Sequence, residues 1–169
     1  MANRLMRLLK HRSVDETDAK RLLGDGAPER IQARVAASEL HHSGEIRVCI
    51  EAGLPLSYLK RDAPVRERAV MMFGKLHVWD TEHNNGVLIY LLLAEHSIEI
   101  IADRGLARHV SAAEWQRITA TMGAAFKAGQ FEAGLNQAVD AVDALLAKHF
   151  ALAPGEANPN ELPDAPYLR

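Results

Sequence analysis

The stretch Asn84-Asn85-Gly86-Val87-Leu88-Ile89-Tyr90-Leu91-Leu92-Leu93-Ala94-Glu95-His96-Ser97-Ile98-Glu99-Ile100-Ile101-Ala102 decides the fold. Its apolar run, Val87 to Ala94, is eight residues long, far short of the roughly 20 that span a bilayer as a helix. It therefore reads as a strand, and because it is apolar on both faces it belongs in the middle of a sheet. The short polar connection Glu95-His96-Ser97 then joins Val87–Leu93 to a second strand, Ile98–Ala102, as a hairpin.

Upstream, Glu45 to Glu51 alternates. Ile46, Val48 and Ile50 point to one face and Glu45, Arg47, Cys49 and Glu51 to the other, predicting one core face and one polar face. Residues Gly53 to Leu59 read as a loop. Asp62 and Pro64 then open a helix in which Val65, Ala69, Met72, Phe73 and Leu76 fall at helical spacing. A right-handed crossover through that helix would set the first strand parallel to Val87–Leu93. A helix also precedes the first strand, within Asp25 to His42, where Pro28 suits a first turn and Ile31, Val35 and Ser38 share a face. Downstream, Ser111-x-x-Glu114 is a capping box before Trp115, Ile118, Met122 and Phe126. Gly129 ends that helix, and Phe131, Leu135, Ala138, Val139, Val142, Leu145 and Leu146 define a last one to about His149. This order predicts a three-layer α/β/α sandwich, with a small mixed sheet and helices on both faces.

The expected organisation is a basic amphipathic segment over 1–24, a domain over 25–150 and a flexible Pro-containing tail over 151–169. At 169 residues the chain is one domain of ordinary size, and a monomer is expected. Hydrophobic residues at 48% and charged residues at 25% argue against disorder, collagen and a membrane bundle. With 20 Lys+Arg against 22 Asp+Glu, no global field draws the chain to nucleic acid. A single cysteine, Cys49, excludes an intrachain disulfide and multi-cysteine metal sites and fits a reducing compartment. The N-terminal residues lack a signal-peptide core, so a cytoplasmic location is expected. Arg4, Arg7, Lys10 and Arg12, interleaved with Leu5, Met6, Leu8 and Leu9, suit residues 1–12 to peripheral contact with a membrane surface or an acidic partner. The alternative is a helix packed on the domain.

The densest polar segment, Trp79 to Gly86, feeds the central strand. Asp80, Glu82 and Asn84 at alternate positions offer the hard oxygen ligands of a calcium loop. The match is partial, since Asn85 and Leu91 stand where an EF-hand needs Gly and Glu. Turn capping by the same side chains is the competing reading. A second candidate is Asp103-Arg104-Gly105, where Gly105 could take φ > 0 and reverse the chain. With Glu45, Arg47 and Arg66 it could make a cleft holding a cation on carboxylates and a phosphate on guanidiniums. A structural ion-pair network is the alternative there. The histidines give no trusted ligand pattern, although His83 and His109 flank the polar segments as candidate acid/base groups. No nucleophile elbow, P-loop, zinc-protease or dinucleotide fingerprint is present, and Cys49 lies inside a strand, so covalent catalysis has no strong candidate.

Ser38-Glu39 through Ser43-Gly44-Glu45-Ile46, Asn84-Asn85-Gly86-Val87-Leu88-Ile89, Ile100 to Gly105, and Phe126 to Gly129 followed by Phe131 and Gly134-Leu135 resemble the TPM domain family, also called TPM phosphatase, over about residues 30 to 150. The resemblance implies the same α/β/α sandwich. Plant members of that family look like thylakoid-lumen acid phosphatases and photosystem repair factors, and some bacterial relatives are associated with calcium. Asp80, Asn84, Asn85 and Asp103 match the family's polar loops, whereas Glu82, Arg104 and Arg66 are nominated by position. The family's usual build has an export signal in front and often a membrane helix and Gly-rich tail behind; none of these is read in this sequence, and the expectation is the family's short, soluble proteobacterial type. The expectation is a divalent-cation-binding accessory module, using calcium or magnesium and an unidentified protein partner such as a membrane-protein complex. The alternative is a metal-dependent phosphomonoester hydrolase.

Overall fold

The computed structural model describes residues 2–169, with side chains from residue 5 onward. In chain order, α1 (Ala2–Arg12), α2 (Glu16–Leu23) and α3 (Ala27–Ser38) lead into strand β1 (Ile46–Glu51). Helices α4 (Leu56–Lys60) and α5 (Val65–Lys75) cross to strand β2 (Val87–Leu92), and a single 3-10 turn at Leu93–Glu95 leads back into β3 (Ser97–Ala102). Then come α6 (Arg104–Ala107), α7 (Ala112–Lys127), α8 (Phe131–His149) and a two-residue strand β4 (Tyr167–Leu168). The sheet order is β3-β2-β1-β4.

The central pairing is parallel, with Ile46 opposite Val87 and Glu51 opposite Leu92. The β2–β3 pairing is antiparallel, so the sheet is mixed as the sequence predicts. Reversal between them puts His96 in the left-handed region, at φ 48°. Alternation of side chains then divides the core in two. Ile46, Val48, Ile50, Val87, Ile89 and Leu91 pack under α3, α7 and α8, whereas Cys49, Leu88, Tyr90 and Leu92 pack under α5. Helices thus cover both faces, and the α/β/α sandwich is established. No helix among the described residues is long and apolar enough to cross a membrane.

Four expectations need correction. Gly53 to Leu59 is not all loop, because Pro55 starts the short helix α4. The second face of β1 is not a solvated polar face, since every residue of the strand is buried. The charge of Glu51 is neutralised in place: Glu51 accepts from Tyr90 Oη at 2.7 Å and from Arg68 Nε at 2.7 Å, and Arg68 Nη2 binds its other oxygen. Nor does the segment after α8 stand away from the domain. It returns as a strap whose Tyr167–Leu168 pairs parallel with Cys49 and Ile50, closed by Arg169 N–H to Ile50 O at 3.0 Å and Ala52 N–H to Arg169 O at 2.7 Å. At the other end, α2 belongs to the domain, for Ala19 and Leu23 lie in the main core.

Helix α1 is held by its polar inner side. Arg7 pairs with Glu95 at 2.6 Å and Asp62 at 2.7 Å. His11 Nδ1 accepts from Leu54 N–H at 2.9 Å, which leaves Nε2 to donate to Glu95 at 2.8 Å. Leu5, Met6 and Leu9 point outward, 63%, 63% and 55% exposed. The Arg4 side chain lies outside the described residues.

The Glu51–Arg68 pair is buried, and Arg169 reaches Glu51 at 3.8 Å from the surface, so removing Glu51 strands the Arg68 charge. Glu51→Ala should lower stability by about 3–5 kcal/mol, measured by urea unfolding. The double variant with Arg68→Ala should be less unstable than the sum of the single ones. Simple additivity would show that the two groups act independently.

Candidate functional site

The polar loop and the Asp103 turn meet at one end of the sheet because β2 and β3 are antiparallel. The start of one strand therefore lies beside the finish of the other, with Val87 opposite Ala102. Asp103 N–H donates to Gly86 O at 2.9 Å, and Gly105 N–H donates to Asn84 O at 2.8 Å. Gly105 is not a positive-φ residue; it lies inside α6. It is glycine because a Cβ there would collide with the carbonyl oxygens of His83 and Asn84. The chain reversal expected of Gly105 is instead made on the other side of this contact, where Asn84 takes the left-handed conformation at φ 52°.

Within this junction Asn85 is fully buried and Asp103 is 9% exposed. Asn85 is fixed by its N–H to Thr81 Oγ1 at 3.1 Å and by Nδ2 to Ser43 O at 3.1 Å. Asp103 caps α6, with Oδ1 accepting from Arg104 N–H at 2.7 Å. One oxygen of each side chain, Asn85 Oδ1 and Asp103 Oδ2, is buried and has no hydrogen-bond partner among the described residues. Leaving a buried acceptor unpaired costs about 1–3 kcal/mol, so these two atoms are the observation at this end that calls for a ligand. A hard divalent cation takes such amide and carboxylate oxygens, and to this extent the residues fit calcium or magnesium. Among the described residues no three His, Cys, Asp or Glu side chains come together as a metal-ligand group. A cation here would complete its shell with backbone carbonyls and water.

Other nominated residues are placed apart from these two atoms. Asp80, Glu82 and Asn84 are exposed on the loop, and Glu82 N–H is held by the carboxylate of Glu161. Arg104 is exposed. Arg66 pairs with Glu99 at 3.0 Å. Arg47 is buried under the strap, where it donates to the carbonyls of Pro163, at 2.7 Å, and Ala165. Burial pushes the Cys49 thiol up, as does the charge of Glu51, so no thiolate nucleophile is formed. His83 is exposed on the loop, and His109 stacks on His149 at 4.8 Å.

Sequence reading missed Glu39. It follows Val35 by four residues on the apolar side of α3, and a carboxylate at that spacing is the signal that could have found it. Glu39 is 5% exposed with Oε1 unpartnered. Burial, then the charges of Glu45 and Asp164, push its carboxyl up to about 8.

The profile of the TPM domain matches residues 17–145. No protein with a curated description matches the chain. Among solved structures, that of the BA42 protein from the psychrophilic bacterium Bizionia argentinensis superposes with a TM-score of 0.73 at 28% identity, covering 85% of this chain and 93% of that one. The N-terminal domain of a protein from P. gingivalis superposes with a TM-score of 0.63 at 23% identity, covering 78% and 83%, a likeness of fold.

The raised carboxyl of Glu39 sets a pH dependence. Between an ordinary carboxyl value of 4.5 and about 8, the folded state keeps a proton that the unfolded state has lost. Stability therefore falls as pH rises through that window. Glu39→Gln should flatten this part of the stability curve in urea titrations at successive pH values, and an unchanged slope would contradict the assignment.

Proposed function

We propose, on the premise that this chain belongs to the TPM domain family, that it is a divalent-cation-binding accessory module whose ion rests on Asn85 and Asp103. The observation that carries this reading is the pair of buried, unpartnered oxygens at the β2–β3 end. In the free chain they are a standing cost, which a cation would remove. Calcium is the better fit, since its longer and more flexible coordination accepts amide and backbone carbonyl oxygens, whereas magnesium demands near-ideal octahedral geometry.

A hydrolase would also need groups to orient phosphate. Of the three nominated guanidiniums, Arg47 is engaged by backbone carbonyls and Arg66 by Glu99, which leaves Arg104 alone for that task. The binding module is favoured for that reason.

Thermal unfolding of the full chain with calcium, magnesium or chelator tests the site. A ligand at 100 times its dissociation constant adds about 2.7 kcal/mol, which for this size corresponds to a rise of about 5–11 °C in melting temperature. Asp103→Asn keeps an acceptor for the Arg104 N–H but removes the charge, so the rise should largely vanish there. It should persist in Asp80→Asn, whose side chain lies on the exposed loop. If neither ion raises the midpoint, or Asp103→Asn responds like the parent, the site is rejected.

The accessory half of the proposal places partner contact on the outward face of α1. Replacing Leu5 and Leu9 together by Ser should change stability by less than about 1 kcal/mol, as exposed substitutions do. It should also remove proteins that co-purify with the parent chain; an unchanged set would take α1 out of the reading.

A further inference from the structure

The strap after α8 closes over the end of α3 and leaves a cleft of about 270 Å³. Glu39, Glu156 and Asp164 give it three acidic walls, and Ala36, Leu40 and Leu152 give it an apolar side; among the described residues no Lys or Arg lines it. Glu39 is more than nine-tenths buried, yet its Oε1 is unpartnered. Behind it Glu45 is fully buried, with one oxygen accepting from Leu162 N–H at 3.1 Å and the other unpartnered. Arg47, which feels the charge of Asp164, is committed to the carbonyls of Pro163 and Ala165. Carboxylates crowded in this way need a proton or a cation to coexist.

The cleft is far larger than the roughly 30 Å³ share of one water, so there is room for more than an ion. Its apolar side would be wasted on a hydrated metal but suits an alkyl stem, as the stems of lysines lie along apolar surface. An ammonium brings three donors and no acceptor, which matches the unpartnered Glu39 Oε1 and the carboxylate of Asp164, whose Oδ1 also accepts from Asn160 Nδ2 at 3.2 Å.

We propose that this cleft binds a primary alkylammonium group, its head donating to Glu39 and Asp164 and its stem lying on Leu40 and Leu152. Such bonds are charge-assisted on both sides and short. Glu45 deepens the negative potential without touching the ligand. The site is separate from the Asn85 and Asp103 oxygens, and stands or falls independently of them.

The test is an NMR titration of the full chain with cadaverine as a free diamine, Nα-acetyl-lysine amide as a protein side chain, pentanol as a neutral analogue of the stem, and calcium alone. Amides of residues 36–45 and 152–164 should shift with at least one amine and not with pentanol, and the tighter of the two amines identifies the source. Glu39→Gln and Asp164→Asn should each weaken amine binding by about tenfold or more, the loss expected for a charged hydrogen bond. Their spectra elsewhere should match the parent, and Asp103→Asn should bind the amine normally. Absence of shifts with both amines, equal shifts with pentanol, a smaller loss in both carboxylate variants, or filling of the cleft by calcium alone overturns the proposal.

Discussion

Parallel pairing of β1 with β2 is the constraint from which the other elements follow. Parallel strands cannot be joined by a tight turn, so the chain must travel through α4 and α5 before β2 begins. Their residues are buried on both faces, so helices must lie above and below. One cover is built from α3, α7 and α8 and the other from α5 with α1 beside it. The reversal into β3 then brings the finish of that strand to the start of β2, and it is this adjacency that sets Asp103 beside Asn85.

That pairing was readable because its signals are local. An eight-residue apolar run, an alternating strand and a helix of the right length between them leave few topologies once the crossover is right-handed. Charged residues were harder to place. Arg47 and Glu51 look like the solvated side of a strand, and nothing within the strand says otherwise; what buries them is Arg68 and Tyr90 for one and the strap for the other. The strap itself has no periodicity, only prolines and polar residues, so its docking depends on contacts more than 100 residues away in sequence. Long-range pairing of this kind is invisible to windows of a few residues.

The candidate site was legible in part for the same reason. Asp103 could be nominated because it follows a strand end, and Asn85 because it matches the polar loop of the family the chain resembles; it is the hairpin that brings the two ends together. Asp80, Glu82 and Asn84 shared the same polar composition, but alternate spacing on a loop does not dictate a common direction. Gly105 was recognised as special for the wrong cause: the requirement is close approach to the carbonyls of His83 and Asn84 rather than an unusual backbone angle. Glu39 escaped because a carboxylate four residues after a core valine is normally placed at a helix end to meet solvent, and here the strap takes that solvent away.

The smallest strand covers a stretch of sheet edge that would otherwise be open. Without Tyr167 and Leu168, β1 would offer its unpaired N–H and C=O groups along the outside of the sheet, with buried apolar side chains above and below. Such an edge is a template on which another chain can add a strand. By pairing with Cys49 and Ile50 and bracketing them with Arg169, the chain covers part of that edge with its own backbone. Exposure of these backbone groups is thereby tied to how firmly a short, irregular segment stays docked.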